Sequence, residues 1–206
     1  MNIDLKKSTN PIKYSLAMSY LEKRVKELNK GISKELIWIL EHPSVFTAGV
    51  SYKKEEILDK SINVIETSRG GKITYHGPGQ LVCYVVIDLK KRKKDIRKFI
   101  INIEKSIIKS LESYGIKTKS DRKNIGIWIN INGKDKKIGA IGIKVKKWIA
   151  FHGFSINIEN NLNIYDKIIP CGIKNCEVTN LQKIKKQSYK ELPNLLLKNL
   201  TKYLKI

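Results

Sequence analysis

An alternating run of isoleucines, followed by a tight-turn signal, most constrains the fold of this 206-residue chain. Isoleucine occupies every second position from 125 to 131, a spacing that places these side chains on one face of a β-strand. Asn132-Gly133 comes next, and this pair favours the two-residue turn of a β-hairpin. The chain continues as an apolar segment from Lys137 to Val145. The pattern therefore predicts two antiparallel strands.

Three other segments have the spacing of amphipathic helices. Apolar residues recur every three or four positions in residues 12–30, 94–114 and 188–205. Gly31 and Gly115 follow the first two segments, at the position where a glycine commonly ends a helix. These segments are expected to flank the sheet.

Apolar runs predict further strands at Leu36–Leu40, Leu81–Leu89 and Trp148–Ile158. The last strand is expected to be interrupted at His152-Gly153, and residues 45–60 are expected to form a loop with a short helical turn. Strands and helices do not alternate strictly along the chain. The prediction is therefore an α+β fold with a mixed or antiparallel sheet and flanking helices, formed by a single domain of residues 1–206.

The formal net charge of +22 leaves two interpretations open. It favours attraction to an acidic partner, either nucleic acid or an acidic protein, or it reflects a coding preference for lysine. Because the basic residues are spread along the chain, we favour the second. No apolar run reaches the roughly 20 residues of a membrane span, and no apolar region follows the first charges, so a cytoplasmic protein without a membrane segment is expected.

Cys171 is the candidate nucleophile, because Pro170 and Gly172 place it on a turn that presents its side chain. The alternative is a small buried apolar residue, which is what most free cysteines are. The other two cysteines are expected to be a core residue (Cys83) and incidental (Cys176). The three cysteines form no C-x-x-C pair and the three histidines are widely spaced, so neither disulfides nor a metal site is expected.

A cysteine nucleophile reacts as the thiolate, which requires a nearby cation or base. His76, His152 and Lys137 are candidates by residue type, and the residues alone do not choose among them. Arg69-Gly70-Gly71 is typical of a loop whose backbone amides bind an anion, but it matches neither the P-loop nor the dinucleotide-binding pattern.

Four segments of the chain together resemble the octanoyltransferases of lipoate biosynthesis. In chain order they are Glu41-His42-Pro43 through Gly49; Arg69 through Leu81, which contains Tyr75-His76-Gly77-Pro78-Gly79-Gln80; Lys137 through Gly142 with Phe151 through Asn157; and Ile169-Pro170-Cys171-Gly172-Ile173 with Val178 through Leu181. The segments span nearly the whole chain, and the combination of the second with Pro-Cys-Gly is highly specific.

The resemblance implies the fold of the biotin and lipoate protein ligases, and a reaction that needs no cofactor. The octanoyl group would pass from octanoyl-acyl carrier protein to a lysine of a lipoyl domain, in a 2-oxoacid dehydrogenase complex or the glycine cleavage H protein. Cys171 matches the family's acyl-accepting cysteine, and Lys137 matches its catalytic lysine. The matching substrate-pocket residues are Arg69, Gly70, Gly71, Lys72, Ile73, Thr74, Tyr75, His76, Ala140, Ile141, Gly142, Gly153, Phe154 and Ser155. Neither nucleic acid nor a membrane is an expected partner.

Two positions depart from the family pattern, and two other functions remain as alternatives. Cys83 stands where a small residue is common, and Ala150 stands where a hydroxyl residue often precedes His-Gly. The alternatives are an ATP-dependent lipoate- or biotin-protein ligase of the same fold, and a basic nucleic-acid-binding module. An apolar tunnel for the octyl chain is expected, with walls of Ile73, Tyr75, Ile141 and Phe154.

Overall fold

The computed structural model describes residues 3–173 and 176–205, so the ends of the predicted domain, residues 1–2 and 206, lie outside the described residues. The strands in chain order are β1 (Ile3–Lys7), β2 (Glu35–Leu40), β3 (Val45–Ala48), β4 (Val64–Glu66), β5 (Ile73–His76), β6 (Gln80–Asp88), β7 (Lys119–Ser120), β8 (Ile127–Ile131), β9 (Lys134–Lys146) and β10 (Ile149–Asn157). The helices are α1 (Tyr14–Asn29), α2 (Ile96–Glu112), α3 (Leu181–Ile184) and α4 (Leu192–Leu204).

The strands form a large and a small sheet. The large sheet has seven strands in the order β1-β2-β6-β10-β9-β8-β7, and the small one has three in the order β4-β3-β5. Within the described strands, β1 runs parallel to β2 and β3 runs parallel to β4, whereas the other neighbours are antiparallel. The predicted α+β class with a mixed sheet is therefore confirmed.

Helices cover both faces of the large sheet. Alternate side chains of a strand point to opposite faces, so β2 and β6 contribute to two apolar clusters. Trp38 and Tyr84 pack in the cluster beneath α1, and Ile37 and Val85 pack in the cluster beneath α2 and α4. Each fully buried aliphatic side chain contributes about 1.5–3 kcal/mol to folding. The small sheet has its own apolar cluster, which includes Ile73, Tyr75, Tyr165 and Ile168.

The strongest periodic patterns form the elements that they predicted. The segments 12–30 and 94–114 contain α1 and α2, and the last three of the four alternating isoleucines lie in β8. Asn132 and Gly133 have φ angles of 51° and 81°, the left-handed conformation that the central residues of a tight hairpin turn require. The hairpin of β8 and β9 is therefore confirmed.

The structure corrects several other predicted elements. Residues 45–60 contain the strand β3 as well as a helical turn, because a strand of four residues is too short to show a period. β10 is not interrupted: His152 has a φ of 66° yet pairs with neighbours on both sides. The last helix begins at Leu192 rather than 188, with Pro193 in its first turn, where a proline has no hydrogen bond to lose. Strands β1, β4 and β7 and helix α3 were not predicted.

Within the described residues, no helix combines the length and the apolar character that a membrane span requires.

Candidate active site

A cavity of about 460 Å³ is lined by residues of both sheets, of α1 and α2, of the segment before β8 and of the turn at Cys171. Its floor is the face of the large sheet that packs against α1, where β6, β10 and β9 lie side by side, and Ile141, Val145 and Phe154 line it from the opposite face. Gly153 of β10 pairs with Gly142 of β9, so the centre of this floor has no side chains. A Cβ at Gly142 would lie 3.0 Å from the carbonyl oxygen of Gly70, so the glycine lets the Arg69 loop approach the sheet closely.

Cys171 and Lys137 meet at this cavity. The Lys137 ammonium donates hydrogen bonds to Cys171 Sγ and to the carbonyl oxygen of Ile125. The donor–acceptor distance is 3.0 Å in each. It also lies 5.0 Å from the centroid of the Trp128 ring, within the range of a cation–π contact. Lys137 is only 5% exposed, whereas Cys171 is half-buried and open to the cavity. One buried cation therefore faces one accessible sulfur.

A β-bulge and a second strand-like contact fix the position of Lys137. Along β8, Ile127 pairs with Gly139 and the next residue pairs with Lys137, so β9 carries one extra residue there. The backbone N–H of Lys137 donates to Glu177 O over 2.8 Å, and its carbonyl accepts from the N–H of Thr179 over 2.9 Å. The lysine is thus tied to the segment that follows the cysteine in the chain.

The turn that presents Cys171 is held by its neighbours. Cys171 has a φ of 56° within the helical turn Pro170–Gly172. The N–H of Ile169 donates to Glu56 O over 2.8 Å, which anchors the start of the turn. Gly172 packs so closely on Lys72 that a Cβ there would lie 2.3 Å from the lysine Nζ. Lys72 in turn forms a 2.9 Å ion pair with the buried Glu56 carboxylate. The Lys72–Glu56 ion pair therefore packs against the residue that follows the cysteine.

The Arg69 loop closes the free edge of β9. The Arg69 guanidinium donates to the Thr47 carbonyl over 2.7 Å and to the Thr47 hydroxyl over 2.8 Å. The N–H of Gly70 donates to Ile143 O over 3.3 Å, which attaches the loop to β9. Both Arg69 and Gly70 line the cavity.

Neither of the two histidines that were candidates by residue type forms a hydrogen bond with the sulfur of Cys171. His76 shares a 2.6 Å hydrogen bond between Nδ1 and Gln80 Oε1. Burial, with the nearby His42 and Arg69, lowers the pKa of His76 to about 3. Burial, with the charges of Arg69 and Lys144, likewise lowers the pKa of His152 to about 3. Lys137 is thus the candidate that the geometry places beside Cys171.

The other two cysteines lie in settings that favour the neutral thiol. Cys83 is fully buried in β6, and burial raises the pKa of its thiol far above the ordinary range. Cys176 is half-buried, and burial together with the charge of Cys171 raises its pKa to about 11. Cys83 is the core residue that was expected.

Most of the predicted pocket residues line the cavity, but Ile73 and Tyr75 do not. Successive side chains of β5 point to opposite faces of its sheet. Thr74 and His76 therefore face the cavity, while Ile73 and Tyr75 point into the small sheet's own cluster. The predicted tunnel walls are therefore wrong at these two positions. The predicted pocket residues that do line the cavity are Arg69, Gly70, Gly71, Lys72, Thr74, His76, Ala140, Ile141, Gly142, Gly153, Phe154 and Ser155.

Sequence reasoning missed several residues that the cavity brings together. They include Tyr14, Val82, Tyr84 and Lys123, and also His152 as a lining residue. Tyr14 has the three- and four-residue spacing of the apolar face of α1, where a core residue is expected. A buried tyrosine usually has a partner for its hydroxyl, and this was the available signal that Tyr14 differs from its aliphatic neighbours.

Among residues 3–173 and 176–205, no group of three or more His, Cys, Asp or Glu side chains is arranged to hold a metal ion.

Solved structures with a similar fold are lipoate and biotin protein ligases. A bi-partite lipoate protein ligase from Thermoplasma acidophilum has a TM-score of 0.77 at 18% identity, covering 100% of this chain and 85% of that one. Lipoate-protein ligase A bound with ATP has a TM-score of 0.76 at 19% identity, covering 100% and 87%. A biotin protein ligase from Aquifex aeolicus has a TM-score of 0.57 at 17% identity, covering 99% and 70%. These TM-scores show a shared fold, that of the lipoate and biotin protein ligases, and at such low identities they show the fold alone.

More similar sequences narrow this class. The family model of the lipoyl protein ligase A/B catalytic domain matches residues 13–200. The octanoyltransferase of Ehrlichia chaffeensis is 41% identical over 184 residues, covering 88% of this chain and 86% of the relative. That of Bartonella bacilliformis is 44% identical over 189 residues, covering 87% and 78%. The chain belongs to the lipoyl protein ligase A/B family, as one of its octanoyltransferases, which confirms the predicted family and acyltransferase class.

Proposed function

We propose that this chain moves an octanoyl group from acyl carrier protein to a lysine of a lipoyl domain, through a thioester on Cys171. The observation that carries the proposal is the 3.0 Å contact between Lys137 Nζ and Cys171 Sγ at the wall of the cavity. An ammonium at this distance stabilises the thiolate, the form of cysteine that attacks carbonyl carbon.

In the first half-reaction, the Cys171 thiolate attacks the thioester carbonyl of the octanoyl donor. The carbon–sulfur bond to the carrier's phosphopantetheine breaks as the bond to Sγ forms. The leaving thiolate takes a proton from the Lys137 ammonium, so the carrier departs as a thiol and Lys137 is left neutral. One thioester replaces another, so this step is nearly balanced in free energy.

In the second half-reaction, the neutral amine of the acceptor lysine attacks the Cys171 thioester. The new bond is an amide, and Cys171 leaves as a thiolate. The attacking amine loses a proton, which the neutral Lys137 accepts. This restores the ammonium–thiolate pair and completes the cycle. Because an amide is much more stable than a thioester, this step drives the overall transfer.

The octyl chain would lie along the cavity, where burial of apolar surface supports its binding. Each buried methylene contributes about 0.8 kcal/mol, so the chain supplies several kcal/mol. Ala140 and Val82 lie on the floor nearest the reactive pair. Their small apolar side chains suit a narrow slot for an alkyl chain.

Intact-mass measurement of the protein after mixing with octanoyl carrier protein tests the proposal. We expect one octanoyl adduct on the unaltered chain, none on Cys171→Ala, and one on the matched control Cys176→Ala. An adduct that survives Cys171→Ala, or no adduct on the unaltered chain, would refute the mechanism.

The requirement for ATP separates this proposal from the ligase alternative. A ligase activates a free acid as an acyl-adenylate, whereas the proposed transfer starts from a thioester that is already activated. We expect octanoyl transfer to a lipoyl domain with ATP absent and no transfer from free octanoate with ATP present. Transfer that depends on ATP would favour the ligase.

A further inference from the structure

A groove with an apolar lining, the β9–α2 groove, extends the cavity away from the reactive pair. β9 contributes Ile143 and Val145 to its lining, and the first two turns of α2 contribute Ile96 and Ile100. All four side chains remain partly exposed, and Ile96 is 38% exposed. Apolar side chains that stay open along one groove of a folded protein mark a surface that binds another molecule.

The groove is open because β9 extends beyond its neighbour β8. β8 pairs with β9 only as far as Gly139, so the remainder of β9 has no strand on that side. The N–H of Gly70 covers part of this edge through its hydrogen bond to Ile143 O. α2 packs on the sheet through Phe99 and Ile103, which belong to the apolar cluster that Ile143 borders. The first turns of α2 therefore stand beside the free part of β9.

The length of the groove matches the arm that carries the acyl group of the proposed donor. Ile143 and Val145 follow Lys137 along β9 at roughly 17 and 23 Å, once the extra residue of the bulge is subtracted. A phosphopantetheine arm has about thirteen bonds between its phosphorus and its sulfur, so it spans roughly 17 Å when extended. An arm whose sulfur lies at Cys171 therefore reaches the part of the groove between Ile143 and Val145.

The basic segment, residues 90–98, lies at the outer end of this groove, since it includes the first turn of α2. It contains seven lysines and arginines and one acidic residue, which caps α2. The end of β9 and the turn after it add two more lysines. This turn lies against the basic segment, because the Lys94 ammonium is 5.7 Å from the centroid of the Trp148 ring. Among the described residues, the pair of Arg92 with Glu35 is the only ion pair of the segment, so most of its charge is free to attract an anion.

We propose that the β9–α2 groove binds the phosphopantetheine arm of the donor, and that the basic segment receives the phosphate of the arm and the acidic surface of its carrier protein. The inference rests on the proposed function and adds the surface on which the donor docks. The arm is anionic at its phosphate and uncharged along its length, which matches a groove with an apolar lining and cations at its outer end.

The acceptor does not match this groove. Its lysine is cationic before it reacts, and its side chain reaches only about 6 Å from the backbone. The lysine therefore suits neither the length of the groove nor the positive charge at its end. The octyl chain has no charge for the basic segment to attract, and Val82 and Ala140 offer it an apolar floor nearer the sulfur.

The test follows acylation of Cys171 by intact mass with two donors, octanoyl carrier protein and the octanoyl thioester of N-acetylcysteamine. The second donor lacks the phosphate and the outer part of the arm, so it needs only the reactive end of the cavity. We expect Arg97→Glu to lower kcat/KM for the carrier protein by about tenfold or more, and for the short donor by less than about twofold. Ile96→Asp should show the same difference between donors, and an acidic residue in the first turn suits the helix.

Lys105→Glu and Ile101→Asp are the matched controls, because both residues are exposed on α2 but lie outside the cavity. They should leave both donors at the unaltered rate. Thermal melting establishes that each variant is folded, and Arg97→Glu alone carries the test if Ile96→Asp is not.

Three results would overturn the proposed docking surface. The first is a carrier-protein rate within about twofold of the unaltered chain, and the second is equal slowing of both donors, which would place the acyl chain in the groove. The third is unchanged acylation with slower transfer from the acyl-enzyme to a lipoyl domain, which would assign the surface to the acceptor. Absence of any adduct on the unaltered chain would instead overturn the proposed function.

Discussion

At the scale of single residues, the reactive sulfur depends on one lysine that is almost completely buried. Replacing Lys137 by Met keeps the length of the side chain but removes the charge and the transferable proton. We expect the rate of Cys171 acylation to fall by a factor on the order of 10²–10⁴, the usual contribution of a general acid–base group. Single-turnover mass measurement with octanoyl carrier protein gives this rate.

Lys136→Met is the control for this substitution. Lys136 is the preceding residue of β9, and its ammonium pairs with the Glu177 carboxylate over 2.6 Å rather than with the sulfur. It should acylate at nearly the unaltered rate. Equal rates for the Lys137 and Lys136 variants, both folded by circular dichroism, would mean that Lys137 does not serve the transfer.

The lowered pKa values of the three histidines predict how the stability of the fold depends on pH. Burial is the main cause that lowers the pKa of His42, His76 and His152, the last two to about 3. Below the ordinary value near 6.5, the unfolded chain binds protons that the folded chain does not, so stability falls as pH falls from about 6.5 towards 3. Each histidine contributes a slope of up to about 1.4 kcal/mol per pH unit.

Urea unfolding between about pH 7 and pH 5 measures this slope before most carboxylates titrate. His76→Gln should make the slope shallower, since glutamine has no proton to bind. A free energy of unfolding that is constant over this range would contradict the prediction.

Residue identity predicted the site only in part. The turn Pro170–Gly172 singled out Cys171, but a chain with 41 lysines and arginines offers no local reason to choose Lys137. That choice came from the family resemblance, and the structural reason for it is the bulge in β9, which depends on pairing with β8. Tyr14 has the spacing of a core residue, and only the packing of α1 against the sheet shows that its hydroxyl faces a cavity.

At the scale of elements, two properties decide whether the sequence predicts a helix or strand: the length of the element, and whether its partner is its neighbour in the chain. α1, α2 and the β8–β9 hairpin have either several helical turns or a turn signal between neighbouring strands. β3 and β4 have four and three residues, too few to define a period. β1 pairs in parallel with β2, and α1 lies between them in the chain, so no turn signal marks that pairing.

Gly153, which pairs with Gly142 in the cavity floor, gives a prediction about the pairing of β6 with β10. A Cβ at Gly153 would lie 1.9 Å from the carbonyl oxygen of Cys83, which is backbone and has no room to move. We expect Gly153→Ala to destabilise the fold by about 4 kcal/mol or more, the range of severe core substitutions. Urea unfolding measures the loss.

Gly31→Ala provides the comparison for this substitution. Gly31 has a positive φ of 74°, but nothing lies within 4 Å of its Cβ position, so an alanine there adds only backbone strain. A cost of about 1–2 kcal/mol is expected. If the two alanine variants were equally stable, close packing at Gly153 would not be what selects glycine there.

At the scale of the whole molecule, the net charge of +22 acquires a specific interpretation from the proposed reaction. Both proposed partners, acyl carrier protein and lipoyl domains, are expected to be acidic. Opposite net charges speed the encounter of two proteins without requiring a dedicated patch. A spread of lysines that arose from coding preference would therefore still accelerate transfer.

Comparison of a protein donor with an uncharged one at different salt concentrations tests whether the net charge speeds the encounter. Because the Debye length shrinks from about 10 Å at 0.1 M to 3 Å at 1 M, added salt screens the attraction between proteins. We expect kcat/KM for octanoyl carrier protein to fall by about tenfold over that range. The octanoyl thioester of N-acetylcysteamine has no charge to be steered, so its kcat/KM should change little. If salt slowed both donors equally, it would act on the site itself, and the excess of lysine would have no part in finding the partner.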